Sequence, residues 1–442
     1  MHGRKVWWAI ASVVVGMAVA RCGSKSGRDD QNPVEETPFD AAELAGLDTG
    51  LPDAQPPDAG VPDASPQPPA PNEAQGFTSY TAAHGLPLSV RDVSADSAGN
   101  VWVAGADALY LLKPGAVWFQ KLGVAEGLAA YRVLSVAGMG AGEVWVGYEG
   151  LFAGKEDNDP PEILRSGGVH HLRLVGDLVE GTRYEIGTPP GDPMFCDDPQ
   201  YRDSVCLTGR YKLRTVFVIR PNRNSVSSGD VWFGATHGVA LWDESRQAIV
   251  EHAHSAIYGP DKNGYYTHLS GDHWGLAFDA DGNPWIGGAH REAHMPYSSL
   301  GFTERFDTIL DTWPDKDEVN RTDDHVSSMA VDSAGKVWIG SIVNSLARYD
   351  PTTASFEYFT PSNGLPDKAV LALAADPDGT IWVGTYVGLH RYDPTARTWR
   401  SYYWRTVGLP NDEIHSLQID RRTAPRTLYI GTQGGVSIYR GP

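Results

Sequence analysis

The chain has 442 residues, with 55 Asp and Glu against 36 Lys and Arg and a formal charge of −19 at neutral pH. A surface that grips nucleic-acid phosphates needs clustered Lys and Arg, so this balance argues against a nucleic-acid partner and against electrostatic adhesion to anionic lipid. Apart from an unusual N-terminal stretch, about 365 residues remain, ample for one large folded unit.

Residues 1–22 read as an export segment. Arg4 and Lys5 form a basic start, and Val6–Ala20 is an unbroken apolar run of 15 residues, shorter than the roughly 20 a spanning helix needs. The sequence Val19-Ala20-Arg21-Cys22 resembles a bacterial lipoprotein signal, in which the cysteine becomes the lipidated N-terminus. Arg21 departs from that motif, which wants Gly, Ala or Ser there; secretion after cleavage near Ala20 and an uncleaved anchor are the other readings. The resemblance implies lipid attachment at Cys22, membrane contact through that lipid only, and a place at the bacterial outer membrane, on its periplasmic side or the cell surface. Residues 23–75 hold P-D-A-Q-P-P-D-A-G-V-P-D-A-S-P-Q-P-P-A-P. Such Pro/Ala/Asp low complexity cannot bury enough surface to offset chain entropy, so a disordered, extended linker is expected.

From residue 76 to 442 a unit of roughly 40–50 residues recurs, the period of a propeller blade with about four strands. Its anchor is the aromatic of a W-[VIF]-G strand: Trp102, Trp145, Trp232, Trp285, Trp338, Trp382 and Tyr429, with Gly two positions on in all but the first, which has Ala104. Six positions before the anchor stand Asp96, Asp279, Asp332 and Asp376, opening D-x-x-G turns of hairpin type. A calcium loop is disfavoured because no acidic ligand continues the pattern. Nine positions before the anchor the residues are apolar (Val93, Val136, Leu276, Met329, Leu373), and eight and ten before it they are mostly small. That alternation fits an innermost strand whose inward side chains converge on a central channel.

Phe119 and Leu122 precede Gly127 by eight and five residues, as Phe356 and Phe359 precede Gly364 and Phe77 and Tyr80 precede Gly85. No blade comes before Phe77, and the seventh unit ends at Arg440 without an outer strand. The expected fold is therefore all-β: a seven-bladed β-propeller closed by its own N-terminal strand, which removes exposed sheet edges. The 87 residues from Trp145 to Trp232 leave room for an eighth blade, but an insertion at 181–212 is the reading taken. Within it Cys196 and Cys206 are expected to form a disulfide, since an even pair in an exported chain without further zinc ligands reads that way.

The repeats closely resemble the two-component-regulator propeller family, whose units run G-L-P…V…D…G…[VI]-W-[VI]-G-T…G-L…Y-D-P; Gly364–Pro394 matches almost throughout. In that family the propeller is commonly the periplasmic sensing part of hybrid histidine kinases, and related propellers include streptogramin-lyase-like enzymes. No kinase segment follows here, so the resemblance implies the fold and a binding role rather than signal transfer by this chain.

Four irregular segments, 181–212, 251–270, 289–300 and 312–324, are expected on one face and over one arc of the ring, where loops on a rigid scaffold carry function. Six of the fourteen histidines (His252, His254, His268, His273, His290 and His294) lie within that arc. The order A-H-R-E-A-H lacks the H-E-x-x-H of zinc proteases. Two function classes follow. One is an envelope binding module, taking an envelope protein or a carbohydrate or peptide ligand on His290, His294, Tyr297, Trp274, Tyr265 and Tyr266. The other is a lyase or hydrolase with His273 and His325 at the channel mouth and a divalent metal. The binding module is the expected one, with no cofactor; solvated loop histidines and aromatics covering blade ends are the plain alternatives for these residues.

Overall fold

In the computed structural model, which describes residues 69–153, 162–165, 167–186, 215–222, 229–236, 238–253, 272–289, 292–295, 307–310, 312–313 and 325–441, the chain is a seven-bladed β-propeller. The innermost strands are Val90–Ala95, Val133–Gly138, Val216–Pro221, His273–Phe278, Val326–Val331, Val370–Ala375 and Ile414–Asp420. Each pairs antiparallel with the strand that carries its blade's aromatic anchor.

The D-x-x-G turns between these strands follow from the chemistry of aspartate. Asp332 accepts the amides of Ala334 and Lys336 at 2.9 Å and the indole N–H of its own anchor, Trp338, at 2.9 Å. Asp96 does the same for Ala98, Asn100 and Trp102, and Gly99 and Gly335 supply the positive φ that closes the turn. One carboxylate thus shapes a hairpin and fixes a buried tryptophan, as turn chemistry requires.

Between blades the packing is apolar. Seven hydrophobic clusters each draw on two neighbouring blades, as where Ala330, Trp338 and Leu346 of blade five meet Val370, Leu373 and Ile381 of blade six. The glycine after each anchor has a specific task. A Cβ on Gly340 would stand 2.5 Å from Val370 of the next blade, one on Gly384 2.7 Å from Ile414, and one on Gly431 2.9 Å from Val90.

The small residues of the innermost strands do something other than line an open channel. They are buried (Ser94 and Ser135 at 0%, Asp92 at 7%), and their oxygens serve the neighbouring blade's unpaired amides. Asp92 accepts Val136 N–H at 3.1 Å, Ser328 accepts Leu373 N–H at 3.0 Å, and Ser94 accepts Gly138 N–H at 2.7 Å. Unsatisfied amides at that inner edge would each cost about 1–3 kcal/mol.

Closure is as the aromatic spacing predicts. Phe77–Thr81 pairs with Gly435–Tyr439 from Phe77↔Tyr439 to Thr81↔Gly435, completing blade seven. Phe77 is buried at 1% exposure and packs 4.4 Å from the Tyr439 ring. A further strand, Asn72–Ala74, pairs outside it, within the stretch read as linker from its composition.

Among the described residues, the long gap after Trp145 holds no eighth blade. Backbone strands Leu151–Ala153 and Glu162–Arg165 pair as a hairpin on the second-to-third strand connection of blade two, and the blade then resumes with Val169–Val175 and Leu178–Tyr184. One expectation changes: residues 181–184 belong to blade two's outer strand rather than to an insertion. Cys196 and Cys206, like Cys22 and the export segment, lie outside the described residues.

Phe77→Ala should cost about 3–5 kcal/mol of stability in denaturant unfolding, whereas Leu88→Ala, at a position 78% exposed, should stay within about 0.5 kcal/mol. Equal losses would contradict closure by this strand. A second outcome concerns His390, fully buried between Thr385 and Ser401 hydroxyls at 3.1 and 2.9 Å. Burial pushes its pKa down from 6.5 to about 4. The unfolded chain therefore takes up a proton below about pH 6.5 that the folded chain refuses until about pH 4. Stability from this site is full above that window and falls through it by roughly 3 kcal/mol. His390→Gln should flatten the fall between pH 6.5 and 4; an unchanged slope would contradict it.

Candidate functional site

Where the innermost strands begin, the register with the second strand slips in every blade. The slips fall between Val90 and Asp92, Val133 and Ser135, Val216 and Val218, His273 and Gly275, Val326 and Ser328, Val370 and Ala372, and Ile414 and Ser416. Each skips one residue: Arg91, Leu134, Phe217, Trp274, Ser327, Leu371 and His415. A β-bulge kinks its strand and re-aims the extra side chain. Seven of them at equivalent positions make a ring around the channel mouth. The residue before each bulge is buried and, His273 excepted, aliphatic, whereas Arg91, Phe217, Ser327, Leu371 and His415 are half-buried.

Side chains of the ring lean toward the next blade. The His415 ring meets Val90 O at 2.8 Å through Nδ1, and Ser327 Oγ donates to Val370 O at 2.6 Å. Phe217 packs edge-on to Trp274 at 6.2 Å, and Trp274 lies parallel to His325 at 6.3 Å and 8°. One arc of the mouth, from blade three to blade five, is therefore aromatic. His325 holds a left-handed φ of 45°, an uncommon conformation for a residue with a Cβ; its N–H to Ala289 O and its carbonyl from Ile342 N–H, both 3.2 Å, keep it there. Trp274 is 7% exposed, and its indole N–H has no hydrogen-bond partner among the described residues.

The opposite arc is charged. Arg132 pairs with both oxygens of Glu149 at 3.0 and 3.2 Å, and His415 Nε2 meets Glu413 at 2.8 Å. Behind the ring, Asp92 lies 4.0 Å from Arg220 of blade three and 2.5 Å from the Ser416 hydroxyl of blade seven. Burial raises its pKa, although Arg220, Ser416 and the Val136 and Val93 amides pull the other way.

The residues singled out from sequence divide. Trp274 and His325 come together at the mouth. His273 occupies the position that is aliphatic in the other six blades and is 1% exposed, so it faces the blade interior. His294 does not join them. It ends the third strand of blade four, Glu292–His294, opposite Trp285, and bonds Asp279 at 3.1 Å and Asp307 at 2.7 Å. Asp279 belongs to the turn at the far end of the innermost strand. Burial would raise its carboxyl, but hydrogen bonds from Asn283 and His294 outweigh it and hold the pKa low. His294 therefore stands at the end of the blade remote from the mouth. Within the expected segment 289–300, residues 292–294 form a strand of blade four, and most of the four irregular segments lies outside the described residues. His290, Tyr297, Tyr265 and Tyr266 lie outside the described residues, and no three His, Cys, Asp or Glu side chains converge as metal ligands among the described ones.

Sequence reasoning missed Arg91, Phe217, Ser327, Leu371 and His415. A signal existed: in five blades the bulge residue stands eleven positions before the anchor, one beyond the small residue at position ten.

Comparison with known proteins accords with this architecture. The two component regulator propeller profile matches residues 364–387, in blade six. No curated protein matches the chain. The extracellular domain of the putative one component system BT4673 from B. thetaiotaomicron is similar in structure at 17% identity and TM-score 0.55, covering 83% of this chain and 40% of that one; the chain thus spans well under half of that domain's length. Virginiamycin B lyase from Staphylococcus aureus matches at 12% identity and TM-score 0.50, over 82% of this chain and 98% of the lyase. YCF48 bound to D1 peptide matches at 12% identity and TM-score 0.51, over 84% and 97%. At these identities the likeness is one of fold.

Proposed function

We propose that this chain is an exported, membrane-tethered propeller that binds a saccharide ligand at its channel mouth and serves as a sensor- or receptor-like module of the bacterial cell envelope. The carrying observation is the aromatic arc: Phe217, Trp274 and His325 from three successive blades, with a buried indole N–H that has no acceptor among the described residues. A sugar ring offers a flat C–H face to the half-buried Phe217 and His325 rings that Trp274 backs, which suits an apolar surface at the mouth. A rigid seven-fold scaffold holds the three rings without an ordering cost on binding.

Export and tethering are supported by the basic start, the apolar run and Cys22 of the N-terminal segment. An acidic, proline-rich stretch behind such a lipid would hold the propeller away from the membrane. The same fold forms an extracellular domain in BT4673, which suits this location.

Two outcomes test the reading. In oligosaccharide-binding measurements on the full chain, Trp274→Ala should weaken binding about tenfold, the size of one aromatic stacking contact, while His294→Ala at the remote end of blade four leaves it unchanged. Binding that survives Trp274→Ala within about twofold would overturn the mouth as the site, and binding of peptides or an envelope protein alone would overturn the saccharide. Separately, Cys22→Ser should move the protein from the membrane fraction to the soluble fraction; an unchanged distribution would contradict lipid attachment there.

A further inference from the structure

We propose that Arg91 is the docking point for a ligand carboxylate, so that the channel mouth takes an acidic saccharide. The inference rests on the ligand-binding reading above and names the ligand's charge. Arg91 is the bulge residue of blade one, the counterpart of Trp274 in blade four. Two polar equivalents spend their side chains on neighbours: Ser327 on Val370 O of the next blade, and His415 on Val90 O of the next blade and on Glu413 of its own. Arg91 makes no hydrogen bond or ion pair among the described residues, and its Nε is buried without a partner.

The next blade brings Arg132 rather than a carboxylate to the entry of its innermost strand. Arg132 is directly before Val133, its carbonyl accepts Glu149 N–H at 3.0 Å, and its guanidinium already holds both Glu149 oxygens. Two guanidinium groups therefore stand near one carboxylate where blades one and two meet, and its hydrogen bonds go to Arg132. Burial first, then the Arg132 charge, pushes the Arg91 pKa down against the pull of Glu149. A half-buried guanidinium without a counter-ion, beside a second one, is stabilised by an incoming oxyanion, and its planar fork matches a carboxylate in particular. This stands out in a chain of charge −19, where acidic groups are plentiful and none among the described residues is bonded to Arg91. An acidic sugar meets both halves of the mouth, its ring face on the aromatic arc and its carboxylate on Arg91.

The test is calorimetric titration of the full chain with trigalacturonate and with its methyl ester, which share one body and differ in charge. The acid should bind about tenfold tighter than the ester, and the preference should shrink with added salt. Arg91→Gln should abolish the preference while ester binding persists, and Arg91→Lys should restore part of it. Trp274→Ala should weaken both probes. Equal binding of acid and ester to the native chain would overturn the role of Arg91 and leave the mouth reading standing. Preference lost in Arg91→Gln but binding untouched by Trp274→Ala would overturn the aromatic arc instead. Arg91-dependent binding of an N-acetylated dipeptide acid, with neither sugar bound, would overturn the saccharide, as would no binding of any probe.

Discussion

The structure depends on how one blade meets the next. An innermost strand has a partner on one side only, so half of its amides face the axis with no strand to bond them. The chain answers with short oxygen-bearing side chains: Asp92 for Val136, Ser94 for Gly138, Ser328 for Leu373 and Gln418 for Ala95. On the other side of the same junction, the glycine after the aromatic anchor admits the first aliphatic residue of the following blade, as Gly340 admits Val370. A methyl group there would have to displace backbone or a β-branched side chain in a packed interior. The repeat's most visible letters are thus junction letters.

The same constraint creates the site. The residue that begins an innermost strand must pack into the previous blade, and the third must reach back to its own second strand. The residue between them has no place in the ladder and is pushed out as a bulge. Its identity is free of the packing demands on either neighbour. Seven bulges therefore present seven unconstrained side chains at one end of a closed ring, as different as Arg91, Phe217, Trp274 and His415. Variable residues on a rigid frame are where binding specificity resides in folds of this kind.

Much of this was legible in the sequence. The anchors, the aspartate turns, the closing strand at Phe77–Thr81 and the count of seven all follow from spacing, because hydrogen-bond geometry forces the same residue types at the same intervals. Blade two was harder: its hairpin insertion separates Tyr148 from Val169, and a periodic search finds no anchor to align there. The site was legible only in part. Positions eight, nine and ten before the anchor stop one short of the bulge, and longer spacings in blades three and seven shift Phe217 and His415 out of that pattern. Histidine density drew attention to His273 and His294, yet the strand ends place one inside the blade and the other at the far end of it. Direction along a strand, not distance along the sequence, decides which residues share a mouth.

The most direct measurement is an indole N–H NMR spectrum of the full chain labelled at tryptophan, recorded during titration with trigalacturonate. Trp102 and Trp338 donate their indole N–H to Asp96 and Asp332 inside blades, whereas the Trp274 N–H has no acceptor among the described residues. The account predicts that the Trp274 signal moves on binding and that Trp102 and Trp338 stay in place. Movement confined to Trp118 or Trp404, both half-exposed and neither a bulge residue, or no movement at all, would contradict a binding site at the channel mouth.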